Sequence, residues 1–441
     1  MIKKLVFFGL ILTLLALPLV ACARPASAPA PIPAPTPAPA PVEPIKIGIA
    51  AENTGWAAPY WPPVQEVIDM VIPLINQDPP LGRPLEPIYD DAEGSVEGNI
   101  SVANYLGGQG VAFAVGYDSD GLWAAEDVIM RYKTPTFTQW SGTSALDNTE
   151  MGKQGLFYRF TSGDTLLYTV FGLYWQNTLI PKGFTRVAIL NDIGESSTSN
   201  AEVISKYLAM AGAQIVHEKT FSQDLTTFSR LLADAFATEP DAIFFIGTDE
   251  QGSIAFKQWW DSALSKDILW FVGDVWASGE LIEPLLPAPG AFDNRMVGPN
   301  PATGEGLKAF VGTSYDIFID EFRKVYGAGA EPGHGFAISE YDAIISGALA
   351  IEAAGDAAPA VVAKHLRAVT NPPGVKVYSY QEGIKALREG KEIDFEGAAS
   401  LVNFDEYGNV YPPTAMYEVI DNEWQQIQVY SPEDLQAFFR K

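Results

Sequence analysis

Apolar and polar positions along the chain fall into two alternating patterns. Short apolar runs, rich in β-branched and aromatic residues, recur at 45–51, 85–90, 111–116, 136–139, 186–191, 214–219, 241–247 and 269–273. Between them lie longer stretches with amphipathic helical spacing, at 64–76, 96–106, 122–132, 165–177, 199–211, 227–237 and 252–262. Strand, crossover helix and strand, repeated, predicts parallel sheets with helices on both faces. Ile243-Phe244-Phe245-Ile246 is apolar at every position, as a strand covered on both faces must be. Several runs end in Gly, Asp or Asn, so ligand-binding loops are expected at strand carboxyl ends. Long helices predicted near 309–326 and 336–353 carry the chain back to the first lobe before a β-rich tail. No repeat of 20 to 50 residues points to a solenoid.

The ends of the chain read differently. Lys3 and Lys4 precede an apolar run over 5–20 that closes on small residues, the layout of a signal peptide over 1–21. The run is short for a permanent span, and Pro18 lies near its end. Leu19-Val20-Ala21-Cys22 resembles the bacterial lipobox, which implies that Cys22 is lipidated and becomes the new N-terminus. Cys22 is also the single cysteine, so no intrachain disulfide can form and stability rests on the core. Residues 22–44 comprise that cysteine and a near alternation of Pro and Ala, expected to be an extended tether. At about 3.1 Å per residue it reaches on the order of 60 Å, enough to hold a globular head clear of a membrane.

About 400 residues remain, more than one core usually supports, so two lobes are expected. Loss of 1–21 removes two lysines and no acid, leaving 26 basic against 54 acidic residues and a formal charge of −28. That balance argues against nucleic acid as a partner and is compatible with solubility outside the cell.

Ile45-Lys46-Ile47-Gly48-Ile49 followed by Asn53-Thr54-Gly55 resembles the opening strand and loop of the periplasmic leucine/isoleucine/valine-binding protein family. The likeness runs in order along nearly the whole mature chain. Leu85–Asp91 resembles that family's second strand, 111–119 its third strand and serine-bearing turn, and Thr134-Pro135-Thr136 with 141–146 the next ligand loop. Tyr158-Arg159 with Ser162-Gly163-Asp164 looks like the crossover into the second lobe. Phe228-Ser229, Gly273-Asp274, Tyr341-Asp342 and Phe404-Asp405 before Gly408 are further landmarks. The resemblance implies a two-lobed α/β fold of the type I periplasmic-binding-protein kind, two Rossmann-like parallel sheets joined by a three-crossing hinge. It places lobe I at 45–163 plus 303–370 and lobe II at 164–302 plus 371–441.

In that family the first lobe holds an amino-acid carboxylate with hydroxyls and backbone amides, and the second holds the ammonium with a carboxylate and aromatics. The resemblance therefore points to Ser119, Ser141 and Thr143 for the anion, at loops feeding helix N-termini; capping is the alternative reading of each. Asp274 is implied as the ammonium partner, through a charge-assisted bond. Trp56, Tyr117, Trp140 and Trp276 follow four strand ends and are read as a cage around the ligand body. Two departures stand out: Gly142 occupies a position usually held by a hydroxyl residue, and Asp118 and Asp120 flank Ser119. Extra acid there would repel a carboxylate, which brings an amide or a cationic amine into view as ligand. Asp118-Ser119-Asp120-Gly121 lacks the spaced acids and terminal Glu of an EF-hand, so no metal is expected.

No enzyme is expected either. The chain has no Gly-x-Ser-x-Gly, Gly-x-x-x-x-Gly-Lys or His-Glu-x-x-His motif, and no Gly-x-Gly-x-x-Gly after the first strand. Its three histidines, His217, His334 and His365, fall in unrelated segments. Asp90 and Asp91 are adjacent on a strand and point to opposite faces. The expectation is an extracytoplasmic, lipid-anchored protein, without cofactor, that binds an amino acid or amide-like solute for an ABC permease. A ligand-sensing subunit of a membrane receptor is the second reading, because fold does not settle function.

Overall fold

The computed structural model describes residues 42–274, 276–277 and 285–440. The expected signal peptide over 1–21, Cys22 and nearly all of the tether lie outside the described residues.

The first sheet contains β1 (Ile45–Ala51), β2 (Leu85–Asp91), β3 (Ala114–Gly116), β4 (Thr136–Thr138) and β5 (Phe157–Arg159), in the order β2-β1-β3-β4-β5 and parallel throughout. The second sheet begins with β6 (Arg186–Asp192), β7 (Gln214–Phe221), β8 (Ala242–Ile246), β9 (Leu269–Val272) and β10 (Met296–Pro301). A small parallel pair follows, β11 (Val375–Val377) and β12 (Ile393–Phe395), and then the hairpin β13 (Thr414–Ile420) and β14 (Glu423–Tyr430). The hairpin adds antiparallel to β10, giving β14-β13-β10-β9-β8-β6-β7. Only antiparallel strands can be joined by so short a turn, here Asp421-Asn422, both with positive φ.

Alternation along each strand divides the core. Val187 and Ile189 enter one cluster while Ala188 and Leu190 enter the cluster on the opposite face, and Phe244 and Phe245 separate in the same way. In the first sheet, Ile47 and Ile49 face the helices Trp61–Ile75 and Gly335–Ala354, and Ala50 and Ala114 face Val96–Gln109. Gly335–Ala354 is apolar nearly all round because it is buried nearly all round. Among the described residues no single helix is long and apolar enough to cross a membrane.

The chain passes between the sheets three times: after β5, after β10 and before β13. The third passage departs from the expected boundary at 371. Val377, Tyr380, Ile384, Ile393, Phe395 and Phe404 all join the core of the first sheet. Asp342 on the central helix accepts from the backbone N–H groups of Ala398 and Ala399 at 2.7 and 2.8 Å. Packing therefore places 375–404 with lobe I, and the chain returns to lobe II only with β13. The expected helix over 165–177 is also broken, into Asp164–Leu167, Thr169–Tyr174 and a π turn at Trp175–Leu179.

Candidate functional site

In both sheets the strand order reverses beside the first strand, between β1 and β3 and between β6 and β8. Loops diverge there at the carboxyl ends, which leaves a crevice. Between the two crevices lies a cavity of about 640 Å³. Its wall takes Trp56 and Tyr60 from the segment after β1, Asp118 to Asp120 after β3, and Trp140 and Gly142 after β4. The second sheet supplies Asp192 and Gly194 after β6, Thr248 and Asp249 after β8, and Asp274 and Trp276 after β9. Asp164, on the first passage between lobes, completes it.

Local geometry explains how the loops reach this position. Gly116 has φ +99°, and a Cβ on it would lie 2.2 Å from the Ala50 carbonyl oxygen, so β3 can turn away at this point only with glycine. Tyr117 follows with φ +66°. Asp118 then caps the helix Ser119–Ala124, accepting from Gly121 N–H at 2.6 Å and from Asn99 Nδ2 at 3.1 Å. The acid that stood out beside Ser119 thus has a structural use, though burial still raises its pKa.

Three side-chain contacts join the lobes, two of them across the cavity. The Tyr60 hydroxyl donates to Asp249, 3.0 and 2.9 Å from its two carboxylate oxygens. Ser196 Oγ donates to Asp120 Oδ1 at 2.6 Å, and the Ser144 and Ser199 hydroxyls lie 2.5 Å apart. Trp276 Nε1 also donates to Asp249, so one carboxylate is held by a ring from each lobe. Tyr60→Phe removes a hydrogen bond to a carboxylate, worth about 1.5–3 kcal/mol. Small-angle scattering of this variant without solute is expected to show a larger radius of gyration than wild type; an unchanged radius would deny the contact a part in holding the lobes together.

The wall is strongly acidic. Asp118, Asp120, Asp164, Asp192, Asp249, Glu250 and Asp274 line the cavity, and among the described lining residues there is no Lys, Arg or His. Asp164 and Asp192 are the most buried of these carboxylates, with 4% and 2% of their surface exposed. Burial raises the pKa of Asp164 well above the usual carboxylate range, Asp274 adds to the rise, and Arg159 opposes it. Asn200, oriented to satisfy its neighbours, points Nδ2 at Asp164 Oδ2 (2.6 Å) and Oδ1 at the Tyr168 hydroxyl (3.0 Å). That hydroxyl also lies 3.1 Å from Asp274 Oδ1. Behind the wall, Glu52 at the end of β1 is fully buried and receives Gly94 N–H at 2.8 Å; burial and then Asp118 push its pKa up to about 8.

Of the residues expected at the site, Trp56, Ser119, Trp140, Asp274 and Trp276 line the cavity. Tyr117, Ser141 and Thr143 do not, because their polar groups serve the loop itself. The Ser141 hydroxyl donates to the Tyr117 carbonyl at 2.8 Å, and Trp140 Nε1 donates to the same oxygen at 3.0 Å. Thr143 Oγ1 accepts from Ala145 N–H as a helix cap. The Tyr117 ring packs in the core beside Val102, Leu122 and Ile129. Sequence reasoning missed Tyr60, Asp164, Asn200 and Asp249. Asp164 lay within the crossover landmark already recognised; the others carry no local signal.

The sequence profile of the periplasmic binding protein family matches residues 44–381, and the chain belongs to that family. It is thus a solute-binding protein of the extracytoplasmic kind and not an enzyme. A Leu/Ile/Val-binding protein homolog of Brucella melitensis biotype 1 is 23% identical over 253 residues, 54% of this chain and 66% of the relative. The leucine-binding protein of Thermotoga maritima superposes with a TM-score of 0.71 at 19% identity, over 88% of this chain and 99% of that one. A branched-chain amino acid transporter substrate-binding protein of Streptococcus pneumoniae, solved with isoleucine, gives 0.69 at 18% identity over 88% and 99%. A solute-binding protein of Rhodopseudomonas palustris, solved with 3,4-dihydroxybenzoic acid, gives 0.66 at 17% identity over 88% and 97%. These likenesses establish the two-lobed fold.

Proposed function

We propose that the chain captures a small polar solute, of amino-acid or amide size, between its two lobes and passes it to an ABC permease in the membrane. The observation that carries this reading is the cavity of about 640 Å³ at the facing strand ends, spanned by hydrogen bonds from one lobe to the other. Pockets of roughly 300–1,000 Å³ suit small organic ligands. The solutes bound by the pneumococcal and R. palustris proteins are of that class. Three passages between the lobes supply a hinge about which the cleft can open and close. In this reading 1–21 is a signal peptide, Cys22 carries the lipid, and the Pro/Ala segment to 44 is the tether. Lobe I comprises 45–163 with about 303–411, and lobe II comprises 164–302 with about 412–441.

Solute capture is tested by a thermal-shift screen of the chain against amino acids, amides, amines, aromatic acids and sugars, followed by scattering. A solute that binds the folded state raises the melting temperature by mass action. A raised melting temperature with a smaller radius of gyration is the expected result; no shift with any class would overturn the reading. Cys22→Ser is expected to move the protein from the membrane fraction to the soluble fraction, and continued membrane retention would deny the lipid anchor.

A further inference from the structure

We propose that the cleft is built for an organic cation: a small amine with an apolar body and no free carboxylate, its ammonium seated among Asp120, Asp164 and Asp274. This rests on the solute-capture reading and narrows it to a chemical class. Two sets of observations lead to it, one concerning the place where an anion would bind and the other the place where a cation would.

The donors that could hold a carboxylate in the first lobe are already engaged. The backbone N–H groups of Gly142 and Thr143 point at Ser119 Oγ, at 3.1 and 3.4 Å, and the Ser141 hydroxyl is turned to the Tyr117 carbonyl. A carboxylate at this wall would also meet Asp164. A Cβ built on Gly142 would lie 1.9 Å from Asp164 Oδ1, so the aspartate fills the space that a hydroxyl side chain at 142 would use. A donor is thus replaced by an acceptor. The nearest buried base, Arg159, is occupied behind the wall by Asp147 at 2.7 Å and by the Thr143 carbonyl at 2.9 Å.

By contrast, two of the acceptors, Asp164 and Asp120, have capacity to spare. Asp164 lines the cavity while 96% buried in the fold, and its Oδ1 accepts no hydrogen bond among the described residues. Asp120 receives one bond, from Ser196. Asp274 and Asp120 both repel a charge on Asp164; Arg159 opposes them from behind the wall, and neutral partners such as Asn200 cancel none of it. An ammonium offers up to three donors and a charge of the opposite sign, which relieves the repulsion and satisfies the free oxygen together. The rest of the wall suits an apolar body: the rings of Trp56, Tyr60, Trp140, Trp276 and Phe336 line the same cavity.

Matched pairs of probes separate this assignment from the reading beneath it. Leucine against leucinamide, and phenylalanine against phenethylamine, differ in whether the carboxylate is present while the ammonium is kept. Isothermal titration of the full chain is expected to show at least tenfold tighter binding of leucinamide and phenethylamine, weakening as salt is raised. Asp120→Asn and Asp274→Asn should each lower leucinamide affinity about tenfold or more, with an unchanged circular-dichroism melting curve as evidence of folding. Tighter binding of leucine, phenylalanine or benzoate than of the amines would overturn the cation assignment and leave solute capture standing. So would full leucinamide affinity in both folded Asn variants. Silence toward all of these probes, and toward sugars and amides, would overturn both.

Discussion

Glu340→Gln is expected to stabilise the protein increasingly as pH rises, by about 3 kcal/mol more at pH 7 than at pH 4. Glu340 lies on the central helix Gly335–Ala354 with none of its surface exposed, and neither carboxylate oxygen has a partner among the described residues. Burial alone pushes its pKa from 4.5 up to about 8. Below pH 4.5 the group is protonated in both folded and unfolded chains and costs nothing by titration. Between 4.5 and 8 the unfolded chain releases the proton while the folded chain keeps it, so wild-type stability falls at roughly 1.4 kcal/mol per pH unit. Glutamine cannot titrate and removes this slope. Denaturant unfolding at pH 4, 5.5 and 7 reads the difference directly, and parallel pH profiles for the two proteins would show that Glu340 is charged or partnered. Asp342, pushed up to about 7 by burial against three backbone N–H groups, contributes a slope of the same sign, confined to the range between 3.8 and about 7, that remains in the variant.

The second large effect is expected at Arg159, which is 1% exposed. Its guanidinium pairs with Asp147 Oδ1 at 2.7 Å, donates to the Thr143 carbonyl at 2.9 Å and lies over the Phe157 ring at 5.5 Å. Asp147 in turn accepts from Thr165 Oγ1 at 2.6 Å, and its carbonyl accepts from Asn409 Nδ2 at 3.0 Å. One arginine therefore ties the loop after β4 to the first passage between lobes. Arg159→Met leaves the Asp147 charge without its base and the Thr143 carbonyl without its donor. Breaking a buried pair from one side costs about 3–5 kcal/mol. Urea unfolding should show a loss of that order, and the double variant Arg159→Met with Asp147→Asn should recover part of it. A loss below about 1 kcal/mol would mean that the pair is as weak as a surface one. Solute affinity should fall as well, because Trp140 and Gly142 sit on the loop that the arginine holds.

How much of this was legible beforehand depends on the range of the interactions. The alternation that makes Val187 and Ala188 face opposite clusters is a property of neighbouring residues, and it was visible in the apolar runs. The parallel sheets, the loops at strand carboxyl ends, and Trp56, Ser119, Trp140, Asp274 and Trp276 on those loops followed from it together with the family resemblance. Ser141 and Thr143 show the limit. Their type and position were right for an anion site, but the turn after β4 brings Ser141 back onto the Tyr117 carbonyl, and loop curvature of that kind leaves no trace in residue types.

By itself the sequence determined the α/β class, the two-lobed architecture and the loops that form the cleft, because burial imposes local periodicity on every strand and helix. Only the tertiary structure decided which side chains meet. Tyr60 and Asp249 are 189 positions apart, and Asp164 reaches the cleft only where Gly142 leaves room for it. Packing against the central helix likewise decided that 375–404 stays with lobe I, through contacts such as Asp342 with Ala398 that no local pattern encodes. The balance of charge in the cleft belongs to this second kind of information. A total of −26 over the chain is a count, whereas acids without a single base among the described residues lining one cavity is a consequence of which loops the fold brings together.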